Sequence, residues 1–253
     1  MRIMVLSNRT IKELVREPLS YIFCLGFPLV MLVIMTVVDQ SIPKEAKMAI
    51  FHIRNLAPGI ALFGLTFVML FTCLQVSKDR AGAFLTRLYM SPMRAADFIG
   101  GYTLPSMIIS FLQITVSFAA AAVIGFIMDT PFQIVNVLLC ILVLLLSALL
   151  FIAFGLFFGT LLNDKTAPAI SSIVITAASM LGGVWMDVDA VGGIFQRVCH
   201  VLPFYQGVSA ARLAMQGKYD QMGKPLAMIF FYAFVFYLIS ALLFHRKMRS
   251  DLK

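Results

Sequence analysis

Six stretches of this chain run for roughly 20 residues without an internal charge, long enough to cross a bilayer as helices. They are Leu19 to Val38, Leu56 to Val76, Gly101 to Met128, Ile134 to Leu162, Ala167 to Trp185 and Leu226 to Phe244. Inside lipid every backbone N–H and C=O must find a partner within the protein, so segments of this kind span as helices. Hydrophobic residues make up 61% of the chain and charged residues 13%, against about a quarter charged in a soluble domain. The expectation is an all-α membrane protein with six transmembrane helices, forming a single transmembrane unit over residues 1–253 with no room for a large soluble domain. Pro28, Pro58, Pro105 and Pro168 fall in or at the start of these runs, where neighbouring helices can satisfy the freed backbone groups.

The net charge of +8 does not point to nucleic acid, because the basic residues sit in short segments between apolar runs rather than in one basic patch. Their distribution instead orients the chain, since basic loops are retained in the cytoplasm. With both termini inside, the inner segments carry Arg2, Arg9, Lys12, Arg16, Lys78, Arg80, Arg87, Arg94, Lys165, Arg246, Lys247, Arg249 and Lys253. The outer ones carry the smaller set Lys44, Lys47, Arg54, Arg197, Arg212, Lys218 and Lys224. The first apolar run has the length of a full span and no small-residue cleavage pattern, so it is expected to stay as a span rather than be removed as a signal peptide.

Three segments outside the runs carry a pattern of their own. Residues 1–17, plotted at about 100° per residue, gather Ile3, Met4, Ile11, Leu14 and Val15 on one side and Arg2, Arg9, Lys12 and Arg16 on the other. That is the pattern of an interfacial helix lying on the inner leaflet, basic face toward lipid headgroups and cytoplasm. The inner loop 78–97 contains Phe84, Leu85, Leu88 and Tyr89 as an apolar stripe flanked by basic residues, ended by Ser91-Pro92. The stripe suits either a partner's groove or the membrane surface. The outer segment 187–224 repeats Val191, Ile194, Phe195, Val198, Val201 and Leu202 at near-helical spacing, breaks at Pro203 and resumes from Val208 to Met215. Two short re-entrant helices dipping into the outer leaflet are expected there.

The chemistry available is narrow. No Asp, Glu, Lys, Arg or His lies inside any of the six runs, which weighs against ion-coupled transport and a cation pore. His52, His200 and His245 lie outside the runs or at their edges, and Gly207-Val208-Ser209 lacks the second glycine of a nucleophile elbow, so an enzyme is not expected. Cys24, Cys73 and Cys140 lie within apolar runs, and Cys199 beside His200 falls short of the four ligands of a structural metal site. Gly217-Lys218 and Gly223-Lys224 lack the earlier glycine of a phosphate-cradling loop, so nucleotide energy would have to come from another chain. Phe63, Phe67 and Phe71 form one face of the second run, a pattern of packing or of a hydrophobic conduit. Ala167, Ser171, Ser172, Thr176 and Ser179 give the fifth run small-residue faces suited to a subunit interface or a pathway lining.

Two motifs and the overall plan together resemble one family. Asp79-Arg80, Gly82-Ala83, Leu85, Arg87-Leu88 and Ser91-Pro92 look like the family's inner loop, with Ala83 in place of the usual Thr. Leu181-Gly182-Gly183-Val184-Trp185, Phe195-Gln196, Leu202-Pro203-Phe204-Tyr205, Ala211-Arg212 and Gly217 are similar to its fifth-span exit and outer helices, with Asp187 and Asp189 where prolines are frequent. The chain thus resembles the type-2 permease subunits of ATP-binding-cassette (ABC) exporters.

The resemblance implies a dimer, with a second copy or a paralogue, in a bacterial cell membrane. Each subunit would dock on a cytoplasmic ATPase, which holds the ATP and Mg, while this chain binds neither cofactor nor metal nor nucleic acid. Asp79, Arg80, Phe84, Leu85, Arg87, Leu88 and Tyr89 would form the coupling element, beside the interfacial helix with Arg9, Lys12 and Arg16. Phe63, Phe67, Phe71, Ser171, Ser172, Ile175 and Ser179 would line the pathway, and Trp185, Pro203 and Tyr205 the extracellular gate. The implied cargo is an amphiphile: a drug, antibiotic or lipid. A polysaccharide exporter and a non-transporting membrane sensor or scaffold are the alternatives.

Overall fold

Each uncharged run folds as a helix, and the charged segments at their ends extend several of them. The computed structural model describes residues 2–43, 48–82 and 95–250. Helix α1, Arg2–Arg16, leads into the first span, made of α2 (Pro18–Tyr21), a π-helical turn (Ile22–Gly26) and α3 (Phe27–Ser41). Next come α4 (Ile53–Ala81), α5 (Ala95–Ile127), α6 (Ile134–Leu161) and α7 (Ala167–Leu181). The short helices α8 (Val188–Val191), α9 (Gly193–Val201) and α10 (Pro203–Gln216) precede the last span, α11 (Gly223–Ser250). The described residues contain no strand, as expected of an all-α membrane protein. The π turn sits just before Pro28, which has no N–H to donate into the preceding turn.

Among the described residues five helical segments are long and apolar enough to cross a membrane: Pro18–Ser41, Ile53–Ala81, Ala96–Ile127, Ile134–Leu161 and Gly223–Arg246. The fifth expected run differs. Its helix α7 has 15 residues, about 22 Å at 1.5 Å per residue, short of a hydrocarbon core of about 30 Å. Gly183, at φ +70°, stops it: its N–H bonds to the Met180 carbonyl and that of Val184 to the Ser179 carbonyl, a Schellman closure seated on the buried Val184.

Helix α4 lies at the centre, packed on α6, α5, α7 and α10. Its approach to α6 is close because Gly155 and Gly159, four residues apart, face it. A Cβ at Gly155 would lie 2.7 Å from the Met69 carbonyl oxygen, and one at Gly159 would lie 2.8 Å from that of Cys73. This is the small-residue contact that lets two membrane helices touch backbone to backbone. Some polar side chains inside the bundle bridge neighbouring helices: Thr72 with Ser106 at 2.9 Å, and Gln113 Nε2 donating to the Ala61 carbonyl at 3.2 Å. The outward faces of α3, α5 and α11, with Val33, Ile108, Phe230 and Phe234, stay apolar and exposed, as lipid contact requires.

Both ends of the described chain lie at one end of this bundle. Ser7 of α1 donates to the Gly101 carbonyl, and Phe98 stacks on Phe244 near the end of α11 with centroids 3.9 Å apart. At the opposite end, Arg54 bonds the Pro131 carbonyl and Asn136 the Met215 carbonyl.

Helix α1 has three faces where two were expected. Leu6, Ser7, Thr10 and Leu14 are buried, with Ile3 and Leu6 seated on Gly100 and Gly101 of α5. Met4 and Val15 form a separate exposed apolar strip, and Arg9, Lys12 and Arg16 the polar one. The helix is therefore held by protein on one side, and of its apolar residues only the second strip is left for lipid. The outer segment also departs from expectation: most of α10 is buried against α4, α6 and α11, while α9 keeps Ile194, Val198 and Val201 exposed.

Candidate functional site

Three features outside the plain packing concentrate the chain's polar and aromatic groups: an ionic junction at the terminal end, a groove along α4, and a polar cluster at the far end.

The junction joins α1, α4 and α5. Asp79, almost fully buried in the last turn of α4, accepts two hydrogen bonds from the Arg9 guanidinium, at 2.7 and 3.1 Å. Tyr102 of α5 donates its hydroxyl to the same carboxylate. Glu13, one turn beyond Arg9 on α1, pairs with Arg9 at 2.7 Å and accepts from Gln75. Burial alone would lower the Arg9 pKa, but its bonds to Asp79 and the nearby carboxylates outweigh that and raise it. The neighbouring Arg80 turns the other way and donates to the carbonyls of Gly159, Thr160 and Leu162. Those carbonyls end α6 without helical partners, and a cation there also suits the helix dipole. Asp79 and Arg80, expected at a docking surface, are thus both engaged within the chain. Phe84, Leu85, Arg87, Leu88 and Tyr89 lie outside the described residues.

The groove brings most of the expected pathway residues together. Phe63, Phe67 and Phe71 form a ladder on α4, met by Phe23 and Phe27 of the first span at ring distances of 5.4 to 6.5 Å. Helix α7 forms the opposite wall. Ile175, Thr176 and Ser179 with Trp185 line an upper cleft of about 320 Å³, and Ser172, Ile175 and Thr176 a lower one of about 420 Å³. Ile175 and Phe67 belong to both. Ser171 is not part of the groove: it is fully buried on another face of α7. Trp185 closes one end, edge-on to Phe63 at 5.2 Å.

At the far end, Asp189 gathers three donors. Its Oδ1 is 2.9 Å from both Gln196 Nε2 and His200 Nε2, and its Oδ2 accepts from the Tyr205 hydroxyl at 2.7 Å. Burial works against ionising Asp189, yet these hydrogen bonds prevail and hold its carboxyl below the usual range. His200 stacks on Tyr205 at 4.4 Å. Asp187 caps α8 by accepting from the N–H groups of Asp189 and Ala190, the service a helix start requires. Arg212 on α10 is half-buried, and desolvation brings its pKa down to about 10. Its Nε donates to the Asn55 carbonyl at 3.2 Å, tying α10 to the start of α4. Pro203 opens α10, and Cys199 is buried. Among the described residues no group of three or more His, Cys, Asp or Glu is placed to hold a metal.

Sequence reasoning missed the partners rather than the residues. Arg9 and Asp79 were each singled out, but nothing in the sequence pairs positions 70 apart; Tyr102 and Gln113 sit in an apolar run, where a tyrosine and a glutamine were the available signals.

Residues 1–216 match the ABC-2 type transporter family. This chain belongs to that family. An ABC-2 permease is a transmembrane component that lacks a nucleotide-binding domain and works with ATP-binding partners. The chain is also similar to "Putative transport permease YvfS" of Bacillus subtilis (strain 168), with 22% identity over 235 residues, 92% of this chain and 93% of that protein. It is accordingly a multi-pass membrane protein and a permease subunit of an ABC transporter.

Proposed function

We propose that this ABC-2 permease exports an amphiphilic molecule, a drug, antibiotic or lipid, from the cytoplasmic side of the cell membrane, driven by a separate ATPase. The observation that supports this best is the groove itself. An aromatic ladder faces a wall with Ser172, Thr176 and Ser179, so a molecule with both apolar and weakly polar parts meets a matching surface. Among the described residues no charged side chain lines either of its two clefts, which favours amphiphiles over ions.

In this reading the end bearing both termini is cytoplasmic. The loop 78–97 leaves α4 and enters α5 at that end, and its Phe84, Leu85, Arg87, Leu88 and Tyr89 seat in a groove of the ATPase. Asp79 and Arg80 act behind it, one gripping α1 and α5 and the other the end of α6, so that a push on the loop reaches three helices. Two permeases, identical or paralogous, face each other, with α4 and α7 lining the path. Trp185, Pro203 and Tyr205 belong to its outer gate. ATP and Mg bind the partner and shift the pair between inward-open and outward-open states, which takes a preference of about 5 kcal/mol for a near-complete switch.

The test is co-purification with a candidate ABC ATPase co-expressed with it, followed by reconstitution in liposomes with a lipophilic fluorescent dye. ATP-dependent dye movement, lost when Phe84 and Leu88 are both changed to Asp, is expected. An ATPase that binds the double variant as tightly as the parent protein, or hydrolysis without any movement of amphiphile, overturns the reading.

A further inference from the structure

Between α1 and the last turns of α4 lies a cleft of about 410 Å³ whose charged lining is Arg9, Glu13, Arg16, Glu17, Lys78 and Asp79. Not all of that charge is spoken for. Arg9, Asp79 and Glu13 satisfy one another in the junction. Glu17 accepts only a long bond from Ser20, at 3.4 Å. Arg16 and Lys78 have no acidic partner among the described residues. What remains open to a ligand is two cations against one carboxylate, a balance that favours a single negative charge.

The cleft does not end in polar surface. Leu74 lines it and also lines the lower groove, where Leu19, Phe23, Phe67 and Phe71 continue the wall. On α4, Lys78, Leu74, Phe71 and Phe67 follow one face at helical spacing. From Lys78 to Phe67 the helix rises about 16 Å, close to half of a hydrocarbon core of about 30 Å. A charged pocket therefore opens directly onto an apolar trough one leaflet deep.

We propose that cleft and trough form one binding site for an anionic phospholipid, with the phosphate held between Arg16 and Lys78 and an acyl chain laid against Phe71 and Phe67. The phosphate oxygens accept charge-assisted hydrogen bonds from both cations. The acyl chain packs along the apolar wall by contact with Leu74 and with the small edges of Phe71 and Phe67 that the core leaves exposed, 8% of each. The proposal rests on the membrane placement of the chain and not on export, so it is tested by binding alone, without ATPase or nucleotide.

The experiment is native mass spectrometry of the full delipidated chain in neutral detergent, titrated with dioleoyl phosphatidylglycerol. A saturable first adduct is expected, at least tenfold weaker in R16A/K78A and several-fold weaker in F71A. Arg16→Lys with Lys78→Arg keeps the charges and should restore binding, which separates a lost site from a misfolded chain. Lys218→Ala, just past α10 at the opposite end of the bundle, should leave the affinity unchanged. Equal binding of dioleoyl phosphatidylcholine, equal loss in the Lys218 variant, or retention within twofold in R16A/K78A would each overturn the proposal. Displacement of the lipid by millimolar inorganic phosphate would identify a free-phosphate site and overturn it as well.

Discussion

Arg9 and Asp79 stand 70 positions apart in the chain, yet the guanidinium of one grips both carboxylate oxygens of the other. The pair fastens the first helix to the foot of the central span, and Tyr102 completes the grip from α5. Shortening Arg9 to Lys leaves a cation beside the buried carboxylate, whereas removing the carboxylate charge takes away what both Arg9 and Tyr102 address, so the second change hurts more.

Asp79→Asn is accordingly expected to destabilise the protein by about 2–3 kcal/mol, below the range for a fully enclosed pair because Arg9 still reaches solvent and Glu13. Thermal unfolding in detergent reads this directly, and Arg9→Lys should fall between the variant and the parent protein. An Asp79→Asn protein that melts with the parent would show that the junction is ornamental.

The α4–α6 contact admits no side chain at two points. Gly159→Ala is expected to cost about 1–3 kcal/mol, since its Cβ would press on the Cys73 carbonyl and the Val76 side chain. Gly26→Ala, where a Cβ meets nothing within 4 Å, is the matched control. Similar melting of the two variants would remove the case for close backbone approach.

The Asp189 cluster carries a pH dependence whose sign follows from its depressed carboxyl pKa. The ionised form is favoured in the fold, so the stabilisation is present above the ordinary value of 3.8 and is lost as pH falls through the lower folded value. Hydrogen-exchange protection over residues 188–205, taken relative to the unstructured rate at each pH, should hold steady at neutral and mildly acidic pH and fall below about pH 4. Asp189→Asn should exchange quickly at every pH; protection equal to the parent's at neutral pH would dismiss the cluster as a latch.

Trp185 is the sole tryptophan and lies edge-on to Phe63 at the end of the groove. Brominated amphiphiles that enter the upper cleft should quench its emission in a saturable manner. Phe67→Ala is expected to weaken that quenching several-fold through lost apolar contact, and Ser171→Ala, which faces away from the groove, to leave it unchanged. Equal effects of both would mean that the dye bypasses the groove.

How far the sequence could be read depends on the range of each interaction. Five of the six apolar runs are helices of spanning length because a 20-residue hydrophobic stretch in lipid has one way to satisfy its backbone. The fifth run shows the limit: Gly182-Gly183 reads as more apolar sequence, but the left-handed Gly183 ends the helix early. Helix α1 misled differently. Ser7 and Thr10 count as polar in any periodicity, yet both are buried on α5, where Gly100 and Gly101 leave room for Ile3 and Leu6. The Phe63, Phe67 and Phe71 face was visible at helical spacing, and Phe23, Phe27 and Trp185 became its neighbours only through the fold. Pairings such as Arg212 with Asn55 leave no trace in local pattern at all.

Where Gly155 and Gly159 press against α4, two main chains meet with no cushion of rotatable groups between them. Such a joint cannot slide without breaking, so α4 and α6 behave as one stiff spine. Whatever this permease does to open and close, the bending has to come from the helices hung around that spine by rings and methyl groups.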